Sequence, residues 1–185
     1  MKILIGDLET TDFLPNGGKI VEVGLVSLDL NTGIKEIIYN KVFNPGLSRE
    51  DLAKKWICEN GYMTPEEIFA GEDIKNCIPD IQKIVDEHPL GFTAFNRTFD
   101  ESFLKSAGVV FGKLLPCPMI LSTPLCKLPH QRGGKGYKWA KVQEAWDIFM
   151  GKNTGYVEKH RGADDAFHEA EIVYYLFKNG HFKIS

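Results

Sequence analysis

MKILIGDLETT (residues 1–11) carries an apolar run straight into two acids. A run of this kind over Lys2–Glu9 reads as a strand buried on both faces, which requires cover above and below the sheet. Side chains alternate along a strand, so Ile3, Ile5, Asp7 and Glu9 share one face. The two carboxylates therefore leave the strand's carboxyl end side by side.

Working outward, Lys19–Leu30 (KIVEVGLVSLDL) reads as a second strand, NTG at 31–33 as a hairpin turn, and Lys35–Phe43 as a third strand. Asn44-Pro45-Gly46 ends this meander, and the period then changes. Residues 48–59 read as a helix, with Ser48 and Asp51 in a capping relation and Asn60-Gly61 as the stop. TPEE at 64–67 starts another helix. A further helix over 79–88 puts Ile81, Ile84 and Val85 on one side. Leu90–Phe95 is a fourth strand and Phe99–Ala107 a helix. In the proline-broken stretch LPCPMILSTPL, Met119–Ser122 is at most a fifth, edge strand. Trp139, Val142, Trp146 and Phe149 fall at helical spacing and predict one buried stripe. The last helix, Ala163–Lys178, has Ala166, Ala170, Val173 and Phe177 inward and Gly180 as its cap. The pattern predicts one α/β domain over 1–185. Its mixed five-stranded sheet opens with a three-strand antiparallel meander and is flanked by helices.

With 185 residues, 43% hydrophobic and 25% charged, the composition is that of an ordinary globular chain. No apolar run approaches the ~20 residues that span a bilayer, and the first acids come too soon for a signal peptide, so a cytoplasmic location is expected. Cys58, Cys77, Cys117 and Cys126 show no CxxC spacing and read as free thiols. The net charge of −3 gives no global basic field. Local charge differs: Lys127, Arg132, Lys135, Lys138 and Lys141 make a basic stretch around the RGGKGYK loop, which could touch phosphates or remain a solvated loop.

Three stretches carry chemistry. DLETT offers Asp7 and Glu9; GFTAFNRTFD offers Asp100 where a helix begins; HRGADDAFHEAE offers His160 in a loop and Asp165 in the first turn of the last helix. Carboxylates are hard-oxygen ligands for Mg²⁺ or Mn²⁺. Two such ions ~3.5–4 Å apart can clamp the attacking and leaving oxygens of a displacement at phosphorus. A histidine beside them is suited to take a proton from water. Each stretch also has a structural reading. Acid pairs occur at solvated strand ends, an Asp at a helix start is a common cap, and the helix dipole favours an acid where Asp165 lies.

Taken in order, DLETT, N-x-x-F-D and His-x4-Asp resemble the three exonuclease motifs of the DEDD superfamily in its histidine-bearing, DnaQ-like branch. That branch includes the proofreading epsilon subunit of bacterial DNA polymerase III, ribonuclease T and oligoribonuclease. YKWAKVQEAW also resembles the helix that precedes the third motif. The resemblance implies an RNase H-like fold and 3′→5′ release of nucleoside monophosphates from single-stranded nucleic acid, DNA favoured, with two Mg²⁺ or Mn²⁺ ions. Asp7, Glu9, Asp100 and Asp165 would hold the metals, and His160 would be the general base. Asp164, an extra acid beside the expected ligand, leaves open which oxygen points inward. Thr10, Phe13, Leu14, Asn96 and Lys135 are expected on the substrate side, Phe13 and Leu14 as an apolar wedge against terminal bases. Tethering to a polymerase is not expected, because the tail that tethers the epsilon subunit has no counterpart here. The alternatives are an RNA-trimming, oligoribonuclease-like enzyme, a phosphatase on small nucleotides, and a non-catalytic nucleic-acid-binding module of the same fold.

Overall fold

β1 (Lys2–Thr10) alternates its side chains between two apolar layers, and that alternation organises the molecule. It pairs antiparallel with β2 (Ile20–Asp29), and β2 pairs antiparallel with β3 (Lys35–Val42). The other edge of β1 takes the two-residue β4 (Phe92–Thr93) in parallel. This computed structural model describes residues 1–130 and 134–184, and among them the sheet is four-stranded in the order β3-β2-β1-β4. Arg132 of the basic loop lies outside the described residues.

The sheet corrects the expectation of five strands. Met119–Ser122 lies inside a helix, α6 (Pro118–Cys126), which has a proline in its first turn. The place beside β4 is taken instead by residues 113–115. Phe92 N–H donates to the Lys113 carbonyl (3.0 Å) and Leu115 N–H to the Phe92 carbonyl (2.8 Å). Pairing stops there at a single bridge, and the chain runs on through Pro116 and Cys117 into α6.

Ile3, Ile5, Val26 and Leu28 pack under the last helix, α8 (Gly162–Lys178), together with Ala166, Ala170 and Val173. Leu4, Leu8, Val23 and Leu25 face the opposite layer, which is built on α4 (Ile78–Asp86) and α5 (Arg97–Ala107). Trp139 is corrected too. It precedes α7 (Val142–Phe149) and is 68% exposed, whereas Val142 and Trp146 are buried. Lys141 is extended at the helix start, so Trp139 falls out of phase with the stripe.

The segment expected as one helix over 48–59 is two. Ser48 caps α1 (Arg49–Ala53) by accepting from Asp51 N–H (3.1 Å), and α2 (Trp56–Glu59) follows after an extended Lys55. Leu52 and Ile57 both enter a small cluster with Val21, Met63 and Ile68. Five residues apart on a continuous helix they would point about 140° away from each other. The break lets both go inward and leaves Trp56 outside, 53% exposed. Thr64 caps α3 (Pro65–Phe69) as the sequence predicts. All four cysteines are free thiols. No described helix is long and apolar enough to cross a membrane.

Candidate active site

Strand pairing brings the first acids together. Asp7 lies opposite Gly24 and Glu9 opposite Glu22 on the face of the sheet that α8 crosses. The crossing is close: a Cβ on Gly24 would lie 2.0 Å from the Gly162 carbonyl carbon, and one on Gly162 would lie 2.8 Å from Gly24 N. Two glycines thus let the start of α8 settle on the carboxyl end of β1. Asp165 arrives with it, 3% exposed, while Asp164 points away and pairs with Lys159 (2.9 Å). One donor atom each from Glu9, His160 and Asp165 lie within 4.8 Å of one another, a metal-sized grouping.

Asp100 comes from the other side. β4 pairs with β1 only as far as Ile5, and beyond that point Asp100 Oδ1 accepts from Leu8 N–H (3.1 Å). The carboxylate thereby stands in for the missing strand partner and is held against the acids at 3% exposure. Asn96 starts α5 without a side-chain cap and is exposed. Asp165 is fixed by the loop before it, accepting from Arg161 N–H (2.9 Å), Lys159 N–H (3.2 Å) and Tyr156 OH (3.4 Å). His160 sits in that loop with φ 53, a region non-glycine residues seldom adopt.

Packed this way, the acids resist ionisation. Burial first, then Asp165, Glu22 and Asp100, push the Glu9 carboxyl up to about 9. Burial raises Asp100 to about 8, opposed by the backbone hydrogen bonds to its carboxylate. Asp7 is raised well above the ordinary range by burial and then by Glu169, Glu9, Asp100 and Asp165. His160 is lowered, chiefly by burial, with Asp165 opposing and Lys141 adding to the fall. One adjoining cation, Arg161, is already engaged. Arg161 grips Glu22 through Nε (3.0 Å) and a terminal nitrogen (3.0 Å) and reaches Glu67 (2.7 Å).

Two contributors escaped the sequence reading. Glu169 is 2% exposed, accepts from Phe95 N–H (3.0 Å) and stands one helical turn beyond Asp165. Its i+4 spacing from Asp165 on an inward face was the available signal. Glu22 is 1% exposed and also accepts from Gly162 N–H (3.0 Å), tying β2 to the start of α8. A charge inside the apolar run of KIVEVGLV marked it.

The expected substrate-side residues divide. Thr10 and Phe13 line a groove of about 610 Å³ that reaches Glu9, shared with Lys54, Lys55, Trp56 and Phe99. Phe13 is 65% exposed and meets Phe99 edge-on at 6.1 Å. Leu14 lines a different cavity of about 680 Å³ with Lys19, Ile74 and Phe103. Lys135 is exposed in its loop with no described tie to the acids, and Lys138 is paired with Glu144.

No family model matches the chain. The chain is 26% identical over 180 residues to a DNA polymerase III PolC-type from Clostridium perfringens, which covers 95% of the chain but 11% of that protein. Among solved structures, it resembles the nuclease domain of 3′hExo, a DEDDh family member bound to rAMP (TM-score 0.66, 16% identity, 98% of this chain and 94% of that one). It also resembles E. coli Exonuclease I in complex with a dA16 oligonucleotide (TM-score 0.67, 11% identity, 96% and 41%). The chain therefore has the fold of the DEDDh 3′–5′ exonucleases, the histidine-bearing branch that its three motifs resemble.

Proposed function

We propose that this chain is a metal-dependent 3′→5′ exonuclease that removes nucleoside monophosphates from single-stranded 3′ ends, with DNA the favoured substrate. The carrying observation is the convergence of Glu9, His160 and Asp165 within 4.8 Å, at the meeting point of β1, the loop before α8 and α8 itself. Asp7 and Asp100 adjoin them in one electrostatic cluster. The DNA preference rests on the DNA polymerase named as the sequence relative. A second reading, trimming of RNA ends, is favoured by the ribonucleotide bound to 3′hExo.

The donor set fits divalent cations of the hard-oxygen kind. Four carboxylates that act on one another electrostatically, with Glu9 and Asp100 pushed up to about 9 and about 8, ionise together only if a positive charge enters among them. Asp7, Glu9, Asp100 and Asp165 would hold two Mg²⁺ or Mn²⁺ ions. Bound there, the ions would supply charge neutralisation at the phosphate and the leaving oxygen. His160 takes the proton from the attacking water, and burial keeps its imidazole neutral and able to accept. Phe13 and Thr10, which line the groove that reaches Glu9, hold the terminal nucleotide.

The test is digestion of a 3′-labelled oligonucleotide in Mg²⁺ or Mn²⁺ by wild type and Asp7→Ala. Release of labelled mononucleotide by wild type alone supports the reading, and equal degradation by both ends it. Matched DNA and RNA oligonucleotides in the same assay separate the two substrate readings.

A further inference from the structure

His160 carries the proton step in the proposed mechanism, yet among the described residues no hydrogen bond holds its imidazole. What surrounds it is aromatic. The Tyr62 ring lies 4.2 Å from it at 61°, and the Trp56 ring 5.1 Å away at 88°, both edge-type contacts. Tyr62 and Trp56 also touch each other, with centroids 5.2 Å apart. These rings come from the segment 56–62, far in sequence from residue 160. The break between α1 and α2 is what delivers them, since it sends Leu52 and Ile57 inward and turns Trp56 out. Two rings, in contact with each other and with it, fence the imidazole without using either of its nitrogens. Both nitrogens stay available, which a histidine held by a hydrogen bond would not have.

Trp56 has a second exposure. It lines the groove that reaches Glu9 and leaves half of its surface open there. Lys54 and Lys55, just before it, line the same groove. An exposed indole beside two lysines has the chemistry of a single-strand platform, in which bases stack on the ring and cations follow the phosphates.

We propose that Trp56 and Tyr62 are positioning residues for His160, and that Trp56 in addition stacks on the incoming single strand, so that filling the groove and placing the histidine are linked. The proposal rests on the exonuclease reading above and names residues outside its three motifs. Without the rings the imidazole is free to sample its side-chain wells, three at χ1 and about two at χ2, so the productive fraction falls to about one-sixth. Loss of a stacking platform weakens binding by about fivefold or more.

The experiment measures kcat and KM separately for wild type, Tyr62→Ala, Tyr62→Phe, Trp56→Ala and Trp56→Phe on a single-stranded oligonucleotide with Mn²⁺. In parallel, the ring resonances of His160 are recorded by NMR in the metal-free, substrate-free proteins, with buried His88 as the control for folding. Tyr62→Ala should lower kcat several-fold with KM nearly unchanged, and Trp56→Ala should lower kcat and raise KM. Both should move the His160 signals and leave those of His88 in place, and each Phe variant should restore kcat. Because Trp56 is 53% exposed, Trp56→Ala empties no core and decides the positioning role alone if Tyr62→Ala misfolds. Wild-type kcat in the Ala variants, or unmoved His160 signals, overturns the positioning role and leaves the exonuclease reading standing. An unchanged KM in Trp56→Ala overturns the stacking role. A wild type that cleaves nothing ends the exonuclease reading and this inference together.

Discussion

Replacing Glu9 with Gln should stabilise the metal-free protein at alkaline pH. Glu9 is 8% exposed, and its carboxyl is pushed from the ordinary 4.5 to about 9 by burial and by Asp165, Glu22 and Asp100. In the unfolded chain it ionises above pH 4.5; in the fold it keeps its proton up to about pH 9. Between those values the unfolded state binds fewer protons, so stability falls as pH rises through that window. At pH 8 the interval from 4.5 is 3.5 units, which sets a ceiling of about 5 kcal/mol on the penalty at ~1.4 kcal/mol per unit. Glutamine keeps the shape and removes the titration. Urea melts in EDTA should therefore show Glu9→Gln more stable than wild type at pH 8, and nearly equal to it at pH 5. Added Mn²⁺ should raise the stability of wild type far more than that of the variant, because the variant lacks one ligand oxygen. A variant that is equal or less stable at pH 8 in EDTA would refute the account of the acids as an uncompensated cluster awaiting a cation.

Asp165→Asn should abolish nuclease activity while Asp164→Asn stays within a few-fold of wild type, since Asp164 is turned to Lys159 and away from Glu9; the reverse order in a kcat comparison would reassign the ligand. Gly24→Ala should destabilise by about 1–3 kcal/mol, a melting-temperature drop of roughly 3–10 °C, because its Cβ meets the Gly162 backbone at 2.0 Å. His160→Ala should reduce kcat by about 10²–10⁴-fold, seen in single-turnover digestion with Mn²⁺ binding retained by calorimetry. In wild type kcat should rise with pH as His160 loses its proton, with the midpoint below the ordinary 6.5 because burial lowers that group. A pH-independent kcat would remove His160 from the proton step.

Much of this arrangement could be read locally. Alternation alone put Asp7 and Glu9 on the face of Ile3 and Ile5, and the register with β2 keeps them there. Helical phase put Ala166 and Ala170 on the buried side of α8, whereas Asp165 was singled out from Asp164 by the His-x4-Asp spacing of the family resemblance. Features that depend on two distant segments were not legible. Nothing near Leu52 announces that it and Ile57 must share a cluster with Val21, so the helix break and the outward turn of Trp56 stayed hidden. Glu22 gains its meaning only from Arg161 and Gly162, about 140 residues away. The fifth strand failed for a simpler reason. Pro118 stands in the first turn of a helix that takes up Met119–Ser122, and apolar composition by itself does not distinguish helix from strand.

The central claim is that these carboxylates and His160 act together, through divalent ions, on a 3′ end. A 5′-labelled single-stranded oligonucleotide, followed over time on a sequencing gel, tests it most directly. In Mn²⁺ wild type should shorten the strand one nucleotide at a time from its 3′ end, EDTA should stop it, and a blocked 3′ terminus or Asp165→Asn should leave the strand intact. Shortening that persists in EDTA or in Asp165→Asn, or cuts that begin inside the strand, would contradict it.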